Sequence, residues 1–279
     1  MTATVDVRSA RQLAPSNPII AGFVLALVAS LGCGKPGDSH SLSAKGVDSE
    51  VVPPVLLFNG TGCSPSDVKA VEAVLKSIGI DYSTANSAEL NELTEFQLRR
   101  FRLLIVPGGN FIDMGRSLTP STAANVRSAV QNGLNYLGIC AGGFLAGKYY
   151  ENDGLNLTSG VKFGFYSAES KGIRKAPVAI TVAEGTTLEH YWEDGPEFTG
   201  WGEIVGKYPD GTPAIVEETV GGGCVILSGV HPEAPENWRY GMPFGTPVGD
   251  CNAYAGKLIL AALNRTKLPA FATETKRGD

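Results

Sequence analysis

A cysteine set between two glycines, at the end of a strand-like apolar run, constrains the fold of this chain more than any other sequence feature. The run covers residues 134–139 and leads into Cys140, with Gly138 and Gly142 two positions away on either side. This spacing is typical of a nucleophile elbow, a sharp strand-to-helix turn that only small neighbours allow to close. The next amide, that of Ala141, would begin the helix and stabilise an oxyanion or a thiolate. The alternative is a buried structural cysteine beside a glycine turn, because free cysteine is among the most buried residue types.

The composition is that of an ordinary globular protein. With 279 residues, 43% of them hydrophobic and 18% charged, the chain can form one or two domains with a sizeable core. The formal net charge of −5 argues against nonspecific binding of nucleic acid, so we expect no nucleic-acid partner. The sequence has neither a Cys-x-x-Cys motif nor a His-rich cluster, and we therefore expect no bound metal and no cofactor.

The first 33 residues have the organisation of an export signal. Arg8 and Arg11 lie in a polar start, and an apolar run at residues 19–31 is too short to span a bilayer comfortably. A small residue then precedes Cys33, so the segment looks like a lipoprotein signal with Cys33 as the lipidated residue and membrane anchor. Ser30 departs from that pattern, which leaves plain secretion as the alternative and an uncleaved anchor as the third possibility. We therefore expect an exported protein of the periplasm or cell envelope.

The remaining chain divides into a tether, one domain and a short tail. Residues 34–50 are polar and rich in Gly and Ser, as expected for a flexible tether. No linker-like composition interrupts residues 51–265, which we interpret as one domain, followed by a tail at 266–279. If Cys140 stays free, the sequence leaves open which two of Cys63, Cys224 and Cys251 would pair in an oxidising compartment. We favour a disulfide between Cys63 and Cys251, because both fall in predicted loops that flank the proposed site.

Strands and helices alternate through the first half of the domain. Apolar runs predict strands at residues 55–58, 80–83, 102–106 and 134–139, and helices are predicted from Ser64, near 94–100 and from Thr119. This order predicts an α/β fold with a parallel, doubly wound, flavodoxin-like sheet and helices on both faces. The second half is richer in strand patterns, at residues 178–182, 204–208, 214–218 and 224–227, before a closing helix at 252–264.

Three glycine-bearing or small-residue loops follow strands of this predicted sheet. Asn59-Gly60, Gly108-Gly109 and Cys140 each come directly after or close to a strand end. Ligands of parallel α/β sheets bind at the carboxyl ends of the strands. We therefore expect these loops to converge on one edge, which a merely structural cysteine would not require.

A cysteine nucleophile needs a base, and the sequence offers three histidines. His40 lies in the tether, His190 in a Glu-His-Tyr-Trp segment, and His231 after the last predicted strand. Pro232 favours an extended conformation at His231, so that His231 and Glu233 point to the same side. The carboxylate of Glu233 can then orient the imidazole of His231.

Taken together, these residues resemble the class I glutamine amidotransferase-like superfamily, whose triad is Cys, His and Glu with a His-x-Glu spacing. The similarity is greatest to the N-terminal domain of some biotin-protein ligases, and it extends over about residues 55–265. It is carried by five segments, at 57–60, 106–109, 136–144, 191–198 and 227–233. The resemblance implies Cys140 as nucleophile, His231 as base and Glu233 as its orienting carboxylate. It also implies an oxyanion hole made by the amides of Ala141 and of Gly109 or Asn110.

The substrate pocket is less well defined by the sequence. We expect its lining to include Asn59, Gly108, Gly143, Tyr191 and Trp192. Tyr191 and Trp192 belong to an aromatic group with Phe198 and Trp201, for which packing inside a β-rich lobe is the alternative.

Three functions remain open at this point. The first is an exported thiol hydrolase of amide or peptide-like bonds, acting on a small molecule or peptide. The second is a noncatalytic module that binds such a molecule, and the third is a redox-sensing thiol, which would need a second cysteine within disulfide reach. Because no synthase domain accompanies the motifs, we do not expect the ammonia-transferring role of the superfamily.

Overall fold

The computed structural model describes residues 52–147, 154–158 and 162–272. The predicted signal peptide at 1–33, with Cys33, and the tether at 34–50 lie outside the described residues, as does the end of the predicted tail. Within the described ranges, every helix is too short or too polar to cross a membrane.

The first half of the domain, joined by one strand from near its end, forms the parallel part of a nine-stranded sheet. Its spatial order is β2-β1-β3-β4-β11, and each neighbouring pair is parallel. The strands are β1 (Val55–Phe58), β2 (Tyr82–Ala85), β3 (Leu103–Val106), β4 (Asn135–Ile139) and β11 (Gly223–Ser228). The predicted α/β class and parallel doubly wound sheet are confirmed here, although β2 begins two residues later than expected.

The second half continues the same sheet with antiparallel strands. The order runs on from β11 to β10, β9, β6 and β7, so the complete sheet is mixed. These strands are β6 (Lys175–Val182), β7 (Thr187–Glu193), β9 (Glu203–Lys207) and β10 (Pro213–Val220), and a separate antiparallel pair is formed by β5 (Lys162–Phe165) and β8 (Pro196–Thr199). The sequence missed β5, β7 and β8, because polar residues interrupt their apolar patterns.

Helices cover both faces of the sheet. They are α1 (Pro65–Ser77), α2 (Ser87–Glu92), α3 (Glu95–Leu98), α4 (Phe111–Ser117), α5 (Pro120–Gln131), α6 (Ala141–Leu145) and α7 (Val248–Asn264). Two short 3-10 helices add Glu169–Lys171 and Glu236–Arg239. α1 begins as predicted, with the Ser64 side chain accepting the Asp67 amide and Pro65 in the first turn.

Alternate residues of the central strands pack on opposite faces. On β3, Leu103 and Ile105 belong to the core cluster that includes α1 and α7, whereas Leu104 and Val106 belong to the cluster under α5. A strand buried on both faces reads as a continuous apolar run. This explains why β1, β3 and β4 could be recognised in the sequence.

Candidate active site

Cys140 occupies a strained turn between β4 and α6. Its backbone has φ 50° and ψ −107°, a conformation that residues other than glycine rarely adopt. The turn is held to the neighbouring strand, because the Cys140 amide donates to the Ser228 carbonyl oxygen at 2.7 Å. Strain of this kind persists only where the surroundings fix it, and it is concentrated at functional sites.

The two flanking glycines are required by close approach of the backbone. A Cβ atom on Gly142 would lie 2.0 Å from the Val106 carbonyl oxygen, and one on Gly138 would lie 2.4 Å from the Gly142 oxygen. The elbow geometry predicted from the spacing therefore matches the described structure.

His231 lies beside this elbow because β11 is the parallel neighbour of β4. Its amide donates to the Tyr191 carbonyl oxygen of β7 at 2.8 Å, and its residue is only 3% exposed. Its ring Nδ1 lies 2.9 Å from the Glu233 Oε1 atom. The predicted same-side arrangement of His231 and Glu233 is thus present in the structure.

Asp67 is a second carboxylate at the same imidazole, which the sequence reasoning did not include. Its Oδ1 atom lies 3.3 Å from the Nδ1 atom of His231, and its side chain is 10% exposed. Gly108 makes room for both, because a Cβ there would lie 2.1 Å from the Asp67 Oδ1 atom and 2.6 Å from the His231 Cε1 atom. Asp67 follows the first strand of a parallel sheet, at the edge where ligands bind. That position is the signal by which the sequence could have pointed to Asp67.

The thiol of Cys140 has two partners. The His231 side chain hydrogen-bonds it, and the thiol can also donate to the Glu193 carbonyl oxygen at a long 3.6 Å. Both carboxylates lie at Nδ1 of the ring, so Nε2 is the nitrogen that remains for the sulfur. The geometry is that of a cysteine, a histidine and orienting carboxylates in series.

The electrostatics favour a charged histidine. Burial alone would lower the pKa of His231, but the neighbouring Cys140 and Glu233 outweigh it and raise this pKa well above 6.5. Burial raises the pKa of Glu233, with a smaller contribution from Asp67, while His231 acts in the opposite direction. These two neighbours therefore favour the protonated form of His231.

His190 has the opposite environment. It is fully buried, and burial together with the charge of Arg239 lowers its pKa from 6.5 to about 3. Its ring packs 5.5 Å from the ring of Tyr254, on the side of α7. Of the two histidines that the structure describes, His231 is thus the one placed to act as a base or an acid at Cys140.

The structure leaves fewer backbone amides free to form an oxyanion hole than the sequence predicted. The Asn110 amide donates to the Gly62 carbonyl oxygen at 2.8 Å, and the Asn110 side chain caps α4. The alternative that used the Asn110 amide is therefore wrong, because that donor is already occupied. Gly109, on the wall of the cleft, and Ala141, at the start of α6, remain the candidates.

A cleft of about 700 Å³ opens over His231. Tyr191 and Trp238 form part of its wall, with ring centroids 5.4 Å apart, and Trp238 lies 5.7 Å from the His231 ring. Glu193 and Asp67 also line it. Trp238 follows the His-x-Glu segment in a 3-10 helix, and nothing in its local sequence pattern marked it as a cleft residue.

Several residues predicted for the pocket lie elsewhere. Asn59 is exposed after β1, with β3 between β1 and β4, and its amide donates to the Ala85 carbonyl oxygen. Gly143 faces Phe198, with a Cβ position 2.9 Å from that ring, and Trp192 is fully buried and donates to the Gly195 carbonyl oxygen.

The aromatic group therefore has mixed roles. Tyr191 lines the cleft, as predicted. Gly108, which is also predicted for the pocket, lies against Asp67 and His231. Trp192 and Phe198 are core residues, and Trp201 packs against the core. The packing alternative holds for these three.

The predicted disulfide is wrong. Cys63, Cys140, Cys224 and Cys251, the cysteines of the described residues, are all free. The thiol of Cys63 is directed at the Phe58 carbonyl oxygen, whereas that of Cys251, inside α7, is directed at the Glu189 carbonyl oxygen. The two residues are held by different elements.

The cluster of Asp67, His231 and Glu233 is compact enough to surround a cation, since its polar atoms lie within 4.8 Å of one another. The Nδ1 atom of His231 lies 2.9 Å from Glu233 Oε1 and 3.3 Å from Asp67 Oδ1, which are hydrogen-bond and ion-pair distances. We therefore treat the group as a hydrogen-bonded cluster and do not assign it as a ligand set.

Comparisons with known proteins agree with this architecture. Residues 53–175, which include Asp67 and Cys140 but end before His231, match the family described as biotin-protein ligase, N terminal. The biotin--protein ligase of Schizosaccharomyces pombe is 24% identical over 159 residues, which cover 47% of this chain and 25% of that protein. The chain thus matches about a quarter of the length of that relative.

A solved glutamine amidotransferase has the same fold. It superposes with a TM-score of 0.57 and 20% sequence identity, covering 76% of this chain and 99% of the other. At this identity the likeness concerns the fold. The described part of this chain therefore has the fold of that glutamine amidotransferase, and its residues 53–175 are similar to the N-terminal family of biotin-protein ligases.

Proposed function

We propose that this chain is an exported thiol hydrolase that cleaves amide or peptide-like bonds with Cys140, His231 and Glu233. The observation that carries the proposal is the meeting of a strained elbow cysteine with a buried histidine whose pKa is raised. A purely structural cysteine requires neither the positive φ nor the imidazolium beside it. The cleft is lined by His231, so it gives a substrate access to the histidine of this pair.

The proposed reaction follows from the positions of these groups. The Cys140 thiolate attacks the carbonyl carbon of the amide, and the oxyanion is stabilised by the amides of Ala141 and Gly109. His231 donates its Nε2 proton to the leaving nitrogen, the C–N bond breaks, and an amine departs from a thioester. Water then attacks the thioester with His231 as base, which releases the acid and regenerates the thiol. One oxyanion-hole donor typically contributes about 3–4 kcal/mol, and acid–base catalysis about 10²–10⁴-fold in rate.

The test compares Cys140→Ala with the unaltered protein on a panel of glutamine, γ-glutamyl and peptide amides. We expect Cys140→Ala to abolish turnover. Cys224→Ala is the matched control, since Cys224 is also a buried free cysteine but lies on β11 away from the cleft. Equal turnover by Cys140→Ala and the unaltered protein would exclude the proposed reaction.

The alternative is a noncatalytic binding module on the same fold. The observation that favours it is the low exposure of Cys140, only 7%, which restricts direct access of a substrate carbonyl to the sulfur. Alkylation by iodoacetamide across a pH series separates the two functions. Fast alkylation below about pH 7 that is lost in His231→Ala supports the hydrolase. A thiol that behaves like free cysteine, with a pKa of about 8.5, supports the binding module.

Export and lipidation are further parts of the proposal, and they rest on the N-terminal sequence pattern. Metabolic labelling with a radioactive fatty acid, followed by membrane fractionation, tests them. We expect label and membrane association in the full chain and loss of both in Cys33→Ser. A secreted, unlabelled product would instead support plain signal cleavage, and a product in the cytoplasm would exclude export.

A further inference from the structure

We propose that Asp67 is a second positioning carboxylate of the site, which together with Glu233 holds His231 as an imidazolium with Nε2 towards Cys140. The inference rests on the Cys140–His231 pair of the proposed function. It adds a residue from α1, a helix that contributes to neither the elbow nor the His-x-Glu segment.

The geometry gives Asp67 and Glu233 different parts in holding the ring. Glu233 Oε1, at 2.9 Å from Nδ1, is at the usual length of a hydrogen bond from a ring nitrogen. Asp67 Oδ1, at 3.3 Å, is a longer contact that acts mainly through its charge. The ring is therefore oriented by Glu233 and stabilised in its charged form by both carboxylates.

Burial explains why a second carboxylate has a role here. His231 is 3% exposed and Glu233 is 2% exposed, so water stabilises neither charge appreciably. An isolated ion in such a place is strongly disfavoured unless opposite charges surround it. Asp67 lies on the Nδ1 side of the ring and the sulfur lies towards Nε2, so Asp67 attracts the imidazolium at shorter range than it repels a thiolate.

Asp67 is held in place by its own helix and by a neighbouring loop. It is in the first turn of a 13-residue helix, where the helix dipole favours negative charge. The Ser64 side chain accepts its amide hydrogen, and the bare Cα of Gly108 faces its carboxylate. The carboxylate is thus fixed from both its own helix and the loop after β3.

The groups that face His231 come from several elements. The titratable ones are Cys140 from the elbow, Glu233 from its own segment, Asp67 from α1 and Tyr191 from β7, whose ring centroid is 5.8 Å away; Trp238 of the 3-10 helix, at 5.7 Å, carries no charge. Across the cleft, Glu193 and Lys175 also line the wall. Among the described groups, Asp67 and Glu233 are the two carboxylates in direct contact with Nδ1.

The test measures the charge state of His231 by NMR of the full chain labelled with 15N-histidine, over a pH series. We expect His231 in Asp67→Asn to lose its second ring proton at a lower pH than in the unaltered protein. Asp67→Glu should restore much of the difference, because it restores the charge.

Asp113→Asn provides a matched control. Asp113 is an exposed aspartate at the same position of the first turn of α4, so this variant also loses a favourable helix-dipole interaction. We expect its His231 titration to coincide with that of the unaltered protein. Thermal unfolding of both variants separates a loss of helix stability, common to the two, from an effect on His231.

The outcomes distinguish this inference from the proposed function. If Asp67→Asn and the unaltered protein titrate together at His231, Asp67 does not stabilise the imidazolium and the inference is wrong. The same holds if Asp113→Asn shifts the titration equally. If instead Cys140→Ala hydrolyses amides as fast as the unaltered protein, the proposed function fails, whereas the NMR titration still decides the role of Asp67.

Discussion

The clearest quantitative consequence of the structure concerns His190, the buried histidine on β7. Its ring is fully buried beside Tyr254, and burial together with Arg239 lowers its pKa from 6.5 to about 3. In the unfolded chain the same side chain regains an ordinary pKa of about 6.5. His190 is thus neutral in the folded protein over a pH range in which the unfolded chain binds a proton.

The sign of the effect on stability follows from this difference. Because the folded pKa is depressed, the contribution of His190 to the free energy of unfolding is fully present above pH 6.5. It is lost as the pH falls from 6.5 towards about 3. The slope approaches about 1.4 kcal/mol per pH unit within that window. Between pH 7 and pH 5, His190 alone therefore destabilises the protein by about 2 kcal/mol.

His190→Phe removes this titration and keeps an aromatic ring against Tyr254. The variant also removes two ring nitrogens that lack a hydrogen-bond partner among the described residues. His231 has a raised pKa and contributes to pH dependence with the opposite sign, but it is common to both proteins. The difference between the two proteins therefore isolates His190.

The assay is urea unfolding at pH 7, 6 and 5, followed by tryptophan fluorescence. The free energy of unfolding of His190→Phe should decline by about 2 kcal/mol less than that of the unaltered protein between pH 7 and pH 5. Tyr254→Phe is the control, since it alters the same ring contact without a group that titrates in this range. Equal declines in His190→Phe and the unaltered protein would refute the reasoning, because they would mean that folding does not depress the pKa of His190.

Three further predictions concern the elbow and the cleft. Gly142→Ala places a Cβ atom 2.0 Å from the Val106 carbonyl oxygen. We expect the free energy of unfolding, measured by urea denaturation, to fall by more than about 2 kcal/mol. An unchanged urea midpoint would mean that the turn can open to admit the methyl group. Glu233→Gln removes the nearer carboxylate from His231, and kcat/KM on any amide that is hydrolysed should fall by at least about 100-fold; full retention would remove Glu233 from the mechanism. Tyr191→Phe removes the 2.5 Å hydrogen bond that the Tyr191 hydroxyl donates to the Glu193 carboxylate. Thermal unfolding should show that the folded protein loses about 0.5–1.5 kcal/mol of stability. No loss of stability would mean that water replaces the bond.

The sequence predicted the elbow and the first strands because their signals are local. Buried parallel strands read as apolar runs, and the glycines around Cys140 reflect contacts within a few residues or with the adjacent strand. The His-x-Glu spacing likewise depends only on the backbone after β11. These features require no knowledge of how distant segments come together.

The cleft could not be predicted in the same way, because its composition depends on strand order. Asn59 follows a strand end, yet β3 lies between its strand and β4, so it is too far along the edge. Asp67 and Trp238 enter the site from α1 and from a 3-10 helix, and neither position has a local pattern that reveals its neighbour. The Cys63–Cys251 pairing failed for the same reason, since predicted loops give no distance between two thiols.

The register of two strands explains why the nucleophile and the histidine meet. In the parallel pair β4–β11, Ile139 is opposite Ser228, and the amide directly after β4, that of Cys140, donates to the Ser228 carbonyl oxygen. His231 follows Ser228 by three residues. Cys140 and His231 therefore both lie just beyond the carboxyl ends of neighbouring strands, at the same edge of the sheet. A slip of one residue would turn Cys140 to the other face of the sheet, since side chains alternate along a strand.

The antiparallel half completes this arrangement. β7 is the last strand of the sheet, four places from β11, yet the Tyr191 carbonyl oxygen accepts the His231 amide. This contact joins the edge strand β7 to the segment that follows β11. The same strand supplies Glu193, whose carbonyl oxygen faces the Cys140 thiol. The β-rich second half therefore forms a wall of the site, and through the Tyr191 carbonyl oxygen it fixes the backbone of His231.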